Sequence, residues 1–190
     1  MKKPASLETQ TDAQLFRLSR AGDEDALVAL YRRHQASIAR FALHMSGAPE
    51  IAEEIVQDVF LALLADNLRY SEEKGTLEAF LIGMARNQVR RHLREARRID
   101  PLSDASCVQQ PDEPRGPDDG LEALRHSISA LPESYRAVIV LCDLEEISYA
   151  DAAERLGCAI GTVRSRLHRA RAILEMKLRR RERCRVTTAG

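Results

Sequence analysis

A stretch of 21 residues near the middle of the chain, DPLSDASCVQQPDEPRGPDDG at positions 100–120, constrains how this 190-residue sequence folds. It carries four prolines, six acidic residues and one arginine, with few apolar side chains. Proline and glycine interrupt helices, and an acidic excess opposes compaction. We therefore predict a flexible, acidic, proline-rich linker over 99–120, which separates about 100 residues from about 70.

The two flanking parts have a composition that favours helices. Hydrophobic residues make up 44% of the chain, which excludes a disordered tail protein, and aromatic residues make up 4%, which is low for a β-sandwich or barrel. Alanine, leucine, glutamate and arginine dominate instead. We predict an all-α fold of two small helical domains, over 12–98 and 121–182, joined by the linker.

The N-terminal part has the apolar spacing of a helical bundle. A short helix is predicted over Asp12–Arg20, and a second helix is predicted from the acidic residues Asp23–Asp25 to Gly47. Pro49 suits the first turn of a third helix. Thr76 is the expected N-cap of a fourth helix, whose later polar positions are mostly arginine.

The C-terminal part contains the pattern of a helix-turn-helix. Ser148 and Asp151 fit a capping box, with the hydroxyl at the N-cap and the carboxylate three residues later. The short helix that they open, Tyr149–Leu156, ends at Gly157. A long basic helix is predicted to begin near Gly161. A short helix, a tight glycine turn and an arginine-rich helix are typical of a DNA-reading unit.

Apolar spacing in that basic helix fixes which of its side chains face outward. The inward positions, at spacings of four, three and four, are Val163, Leu167, Ala170 and Leu174. The outward positions near the helix start are Arg164, Ser165, His168 and Arg169. The first turns of such a helix reach base edges, and arginine bridges guanine O6 and N7, so we expect this face to read bases. Arg166 and Arg171 are better suited to phosphates. The plain alternative is a solvated basic helix that closes a small bundle.

The net charge of zero conceals separate basic and acidic blocks. The chain has 29 Lys and Arg against 29 Asp and Glu. Positions 164–190 carry ten basic and two acidic residues, whereas 99–120 carry one and six. Basic helices serve nucleic acid, anionic membranes or acidic proteins. Neutrality therefore does not exclude a DNA partner, and we hypothesise that the acidic linker weakens DNA binding by the free chain.

Several short motifs occur in a fixed order along the sequence. In the C-terminal half they are Leu131-Pro132, Arg136, Ser148–Ala153, Leu156-Gly157 and Gly161–Arg166. In the N-terminal half they are Ala52–Phe60 and Ala79–Asn87. In these motifs the chain resembles regions 4 and 2 of the extracytoplasmic-function (ECF) sigma factors of the sigma-70 family, over about residues 12–182. It departs from the family with Leu64 and Phe80 where Trp is frequent, and with Arg91 where Asp is common.

The resemblance implies a promoter-specificity subunit that binds promoter DNA and the clamp and flap of core RNA polymerase, and that an anti-sigma protein restrains. The residues implied to contact the upstream promoter element are Arg164, Ser165, Arg166, His168, Arg169 and Arg171. Those implied to contact the minus-ten region are Arg86, Asn87, Arg90, Arg91 and Arg94, with a flipped base captured in the loop Tyr70–Gly75. Those implied to face the polymerase are Glu53, Glu54, Gln57, Asp58 and Phe60.

Two other functions are kept as alternatives. One is a free-standing helix-turn-helix regulator that binds duplex DNA as a dimer, and the region-2-like half argues against it. The other is a sigma-like decoy that binds an anti-sigma protein and no DNA, which should lack the arginines at 164, 166 and 169. We do not expect an enzyme, because no glycine-rich phosphate loop, GxSxG elbow or paired-carboxylate site occurs in the sequence.

The cysteines and histidines do not form a metal-site pattern. The four cysteines lie far apart without a CxxC pair, and the five histidines form no HExxH motif. Glu53, Glu54 and Asp58 have no partnering histidine in the sequence, so we expect a solvated or polymerase-facing surface, no metal and no cofactor. The chain start lacks a signal peptide's apolar core, and no apolar run approaches the ~20 residues that span a bilayer. We expect a cytoplasmic protein without membrane contact of its own.

Overall fold

A computed structural model describes residues 7, 9–65, 70–99 and 119–188, and over these residues the chain forms eight α-helices and no strand. The helices are α1 (Asp12–Arg20), α2 (Glu24–Ser46), α3 (Pro49–Leu64), α4 (Leu77–Ile99), α5 (Asp119–Ser129), α6 (Glu133–Ile139), α7 (Tyr149–Leu156) and α8 (Ile160–Thr188). The all-α prediction is confirmed. Positions 100–118 of the predicted linker lie outside the described residues. No helix of the described part is long and apolar enough to cross a membrane.

Helix ends in the first half follow the local sequence signals. Helix α1 begins at a capping box, in which the Thr11 hydroxyl accepts from the Gln14 amide and the Gln14 side chain accepts from the Thr11 amide. Gly47 ends α2 with a positive φ of 78°, a conformation that glycine adopts without strain. The Thr76 hydroxyl accepts from the Ala79 amide at 3.2 Å, so the predicted cap of α4 is confirmed.

Helices α1 to α4 form the first bundle, with α2 in contact with each of the other three. Their apolar stripes face one another, and Leu30, Phe41, Ile55 and Leu81 are among the fully buried side chains. Burying one such side chain contributes roughly 1.5–3 kcal/mol. The opposite faces of α3 and α4 remain polar, which leaves acidic and basic groups available on the surface.

The second bundle is built around the first half of α8. This helix packs against α5, α6 and α7, and Val163, Leu167, Ala170 and Leu174 are all buried, as their spacing predicts. A π-helical turn, Val140–Leu144, follows α6. The outward face of α8 is therefore fixed by the packing of its inward face.

The two bundles contact each other, which the sequence did not indicate. Helix α4 packs against α7, and α2 packs against α5, α6 and the π-helical turn. Buried apolar side chains from both bundles form one continuous cluster. Arg40 on α2 also binds Glu145, after the π-helical turn, at 2.7 Å. The domains predicted as separate units thus share an interface.

A buried arginine ties this interface together. The Arg136 guanidinium on α6 donates to the carbonyl oxygens of Met45 at 2.5 Å and Leu131 at 3.1 Å, and also to that of Ser129. Met45 lies in the last turn of α2, where carbonyl groups have no partner within the helix. A buried charge is tolerated only when it is hydrogen-bonded. Arg136 therefore fixes the turn before α6 and holds it to the end of α2.

Replacing this guanidinium should destabilise the chain. Arg136→Met leaves buried carbonyl oxygens without donors, so we expect the free energy of unfolding in urea to fall by about 1–3 kcal/mol. The matched control is Arg180→Met, because Arg180 is exposed on α8 and should change stability by less than ~0.5 kcal/mol. An Arg136→Met protein as stable as the wild type would contradict this account of the interface.

Candidate nucleic-acid interface

The second helix of the helix-turn-helix is positioned by a cap and a glycine turn. The Ser148 hydroxyl accepts from the Asp151 amide at 3.1 Å, as predicted, but it also donates to the Asp151 carboxylate at 2.7 Å. The carboxylate thus binds the capping hydroxyl, where a capping box would place it on the Ser148 amide. Gly157 then takes a left-handed conformation with φ of 62°, which ends α7 and allows the turn into α8.

The predicted base-reading face exists as a continuous exposed surface. Its members, all exposed on the first three turns of α8, are Arg164, Ser165, His168 and Arg169. The Ser165 hydroxyl donates to the Thr162 carbonyl at 3.1 Å, which leaves its oxygen able to accept. Three positive or polar long side chains therefore project together from the start of one helix.

Arg166 and Arg171, predicted as phosphate contacts, lie in different surroundings from this face. Arg171 binds Asp143 through both ends of its guanidinium, at 3.1 and 2.5 Å, and these hydrogen bonds raise the pKa of Arg171. The pair joins α8 to the π-helical turn. Arg166 is half-buried, and its charge acts on Arg86 of the first bundle. Both arginines have structural partners in this arrangement.

The basic face of α4 is divided between three directions. Arg86 donates to the Leu156 carbonyl at 2.9 Å, and Arg90 binds Glu133 at 2.6 Å, so both are engaged with the second bundle. Arg91 instead turns towards α3 and binds Asp58 at 2.9 Å. The other two predicted minus-ten residues, Asn87 and Arg94, are exposed. Burial, followed by the charge of Arg90, lowers the pKa of Arg86.

A cavity of about 330 Å³ lies between α4, the loop before it and the end of α7. Tyr70 stands at one side, edge-on to Phe16 at 5.2 Å and tilted against Phe80 at 5.5 Å between ring centroids. Burial raises the pKa of the Tyr70 hydroxyl. Asn87 and Glu154 also line this cavity. The loop predicted to capture a base therefore does border a cavity with aromatic and polar walls.

The polar face of α3 carries most of the residues predicted to meet the polymerase. Glu53, Glu54 and Gln57 are exposed, and Asp58 is half-buried beside Arg91. Phe60 is placed differently: it is 7% exposed and packs on Tyr31 with ring centroids 4.9 Å apart. Position 60 belongs to the apolar stripe of the helix, so Phe60 is a core residue and its placement on this surface was wrong.

Two leucines on the same side of α3 were missed by the sequence analysis. Leu61 is 66% exposed and Leu64 is 46% exposed. They follow Asp58 at spacings of three, which places them on its face of the helix. Apolar residues outside the inward stripe were the available signal. Exposed leucines beside carboxylates form a mixed surface typical of protein contacts.

Glu54 and Asp58 have a histidine neighbour that the sequence did not predict. His92, on α4, places Nε2 3.8 Å from the Glu54 carboxylate, and ligand atoms of Glu54, Asp58 and His92 lie within 4.8 Å of one another. Asp58 already binds the Arg91 guanidinium, whose positive charge opposes a cation at this position. We therefore interpret the group as ion pairs between α3 and α4, and the absence of a metal stays a prediction.

Comparison with known proteins identifies the family. The models for sigma-70 region 2 and sigma-70 region 4 match residues 30–99 and 121–174. The ECF RNA polymerase sigma factor EcfG of Rhodopseudomonas palustris is 33% identical over 144 residues, which cover 75% of this chain and 79% of EcfG. The chain belongs to the extracytoplasmic-function sigma factors. The predicted recognition is thus confirmed, and the match to region 2 argues against a free-standing regulator.

Two further relatives support this assignment of the sigma factor. SigE of Mycolicibacterium smegmatis is 34% identical over 163 residues, covering 79% of this chain, which spans only 62% of the length of SigE. The sigma factor RpoE of Bartonella quintana, solved in complex with the anti-sigma factor NepR, superposes with a TM-score of 0.55 at 30% identity, covering 76% of this chain and 91% of RpoE. Sigma factors are transcription initiation factors and not enzymes.

Proposed function

We propose that this sigma factor binds core RNA polymerase and directs promoter-specific initiation, with α8 on the upstream element and α4 on the minus-ten region. The observation that carries the proposal is the exposed face of Arg164, Ser165, His168 and Arg169, held at the start of α8 by a capped helix and a glycine turn. This geometry presents donors where a major groove presents base edges.

Base reading and positioning fall to different residues of α8. Arg164 and Arg169 are exposed and long enough to bridge guanine, whereas Ser165 and His168 suit single hydrogen bonds to bases or phosphates. Arg171 is held by Asp143 and fixes the angle of α8 against the π-helical turn. It therefore acts as a positioning residue in this proposal, with phosphate contact as a secondary role.

The minus-ten region is assigned to α4 and the loop before it. Arg86, Asn87, Arg90 and Arg94 lie on the side of α4 next to this loop or beside it, and guanidinium groups bind phosphate oxygens through paired hydrogen bonds. The cavity beside Tyr70 and Phe80 offers aromatic faces for an unstacked base. Arg91 is held by Asp58 and so supports the α3 surface.

Polymerase binding is assigned to the polar face of α3. Glu53, Glu54 and Gln57 supply the acidic and polar part of this surface, and Leu61 and Leu64 supply apolar area that water solvates poorly. Phe60 supports it from beneath. The clamp would meet this surface, and the flap would meet the second bundle.

Regulation by an anti-sigma protein is part of the proposal. The RpoE relative from Bartonella quintana was solved in complex with one. We place the sigma factor in the cytoplasm with the polymerase, with no catalysis, cofactor or metal of its own. The polymerase performs the chemistry.

In vitro transcription tests this function. Purified full-length chain is mixed with core polymerase and fragmented genomic DNA, and transcript starts are sequenced. We expect starts at defined positions that share an upstream and a minus-ten motif, and loss of these starts with the double variant Arg164→Ala/Arg169→Ala. The absence of chain-dependent starts on any fragment would contradict the proposal and would favour a decoy that binds only an anti-sigma protein.

A single substitution separates base reading from phosphate contact. Arg169→Ala should weaken binding to the upstream element by ~1–3 kcal/mol and relax specificity at one base pair, because one bidentate contact is lost. Binding of polymerase–sigma complex to a set of single-base promoter variants provides the measurement. Arg180→Ala, in the distal part of α8, is the control and should preserve the base preference. An equal loss on all sequences would show that Arg169 contacts phosphate.

A further inference from the structure

The end of α7 is seated on the loop that precedes α4. The Glu154 carboxylate accepts from the Thr76 amide at 2.6 Å. A Cβ atom at Gly75 would lie 3.0 Å from the same oxygen, so the backbone and this side chain approach closely. This approach depends on glycine, which also takes a φ of 136° here. The second bundle thus contacts the loop assigned to base capture.

Arg86 binds the C-terminal end of α7 directly. Its guanidinium donates to the carbonyl of Leu156, the last residue of that helix, at 2.9 Å. Helix C-termini carry partial negative charge and carbonyl groups without intrahelical partners. The end of α7 therefore offers Arg86 an electrostatic environment similar to that of a phosphate group.

Two ion pairs extend the same contact along α4. Arg90 binds Glu133, at the start of α6, at 2.6 Å. Arg155 of α7 binds Glu78, in the first turn of α4, at 2.9 Å, and its side chain is 15% exposed. A pair shielded from water to this degree is screened less than a surface pair. Each end of the α4 face is thus held by a charge from the second bundle.

The contact has features of a reversible one. The Arg86 Nε and one Glu133 carboxylate oxygen are buried and make no hydrogen bond in this arrangement. Buried polar atoms without partners disfavour the state that contains them. Arg86 also lies near the like charges of Arg90 and Arg166, which together with burial lower its pKa. An arrangement that gives these guanidinium groups more acceptors would compete with the present one.

We propose that α7 is an internal competitor of promoter DNA, docked on α4 and the loop 70–76 of the free chain so that the minus-ten surface is covered until the bundles separate. The inference rests on the proposed function, because it uses the same promoter-facing residues. It assigns the inhibitory acids to Glu133 and Glu154, within the folded bundles. Any polymerase or anti-sigma contact that favours separated or docked bundles then controls access to DNA.

Arg155→Gln provides a test in which charge and opening act in opposite directions. The substitution removes the pair with Glu78 and one positive charge, so electrostatics alone would weaken DNA binding. We expect the free full-length variant to bind a fluorescein-labelled, randomised single-stranded 12-mer about two- to fivefold more tightly than the wild type, since the competent fraction rises. Arg125→Gln, an exposed arginine on α5, is the matched control and should bind equally or more weakly.

A second variant repeats the test if Arg155→Gln disturbs folding, which circular dichroism and thermal melting would reveal. Glu133→Gln/Glu154→Gln removes two acceptors from the contact and should tighten binding of the 12-mer by about fivefold or more. Its matched control, Glu146→Gln/Glu175→Gln, changes the net charge equally at exposed positions away from the interface. Anisotropy titrations of all proteins at one salt concentration give the comparison.

The outcomes distinguish this inference from the proposed function. Tighter binding by the folded interface variants than by their controls supports the competitor role of α7. Binding no tighter than that of the controls overturns it, even when the wild type directs transcription with polymerase. Because the titrations use the free chain, a wild type that fails in transcription would overturn the proposed function by a separate measurement.

Discussion

The guanidinium of Arg86 lies against the last carbonyl of α7, and the relation between the two bundles depends on this kind of contact. The arginines of α4 follow an apolar stripe that commits the helix to the first bundle, so their charged ends must find partners outside it. In the free chain the end of α7 and Glu133 fill this role. On a promoter, phosphates would fill it, and one basic surface therefore serves two states.

Buried contacts determine where these charged surfaces lie. Arg136 holds the turn before α6 to the end of α2, and this places α6 and α7 beside α4. The cap at Ser148 and the turn at Gly157 then set the direction of α8. Its outward arginines are consequently oriented by packing on the opposite side of the helix. Sequence composition contributes the charges, and the interior fixes their geometry.

Local features were predictable and long-range pairings were not. The bounds of α1 and the inward positions of α8 followed from apolar spacing and helix signals, which act over a few residues. Partners such as Arg86 with Leu156, or Arg171 with Asp143, are separated by tens of residues and have no periodic signature. Phe60 shows a different failure, since a motif resemblance outweighed the apolar stripe to which the residue belongs. The interface between bundles was missed because the acidic linker suggested independence.

The central claim is that α7 covers the minus-ten surface in the free sigma factor and leaves it in the polymerase complex. Carbodiimide cross-linking with mass spectrometry tests this directly, because Lys74 and Glu154 line the same cavity from opposite bundles. The account predicts a Lys74–Glu154 cross-link in the free wild-type chain and its loss when core polymerase is added. A cross-link of equal yield in the transcribing complex, or none in the free chain, would contradict it.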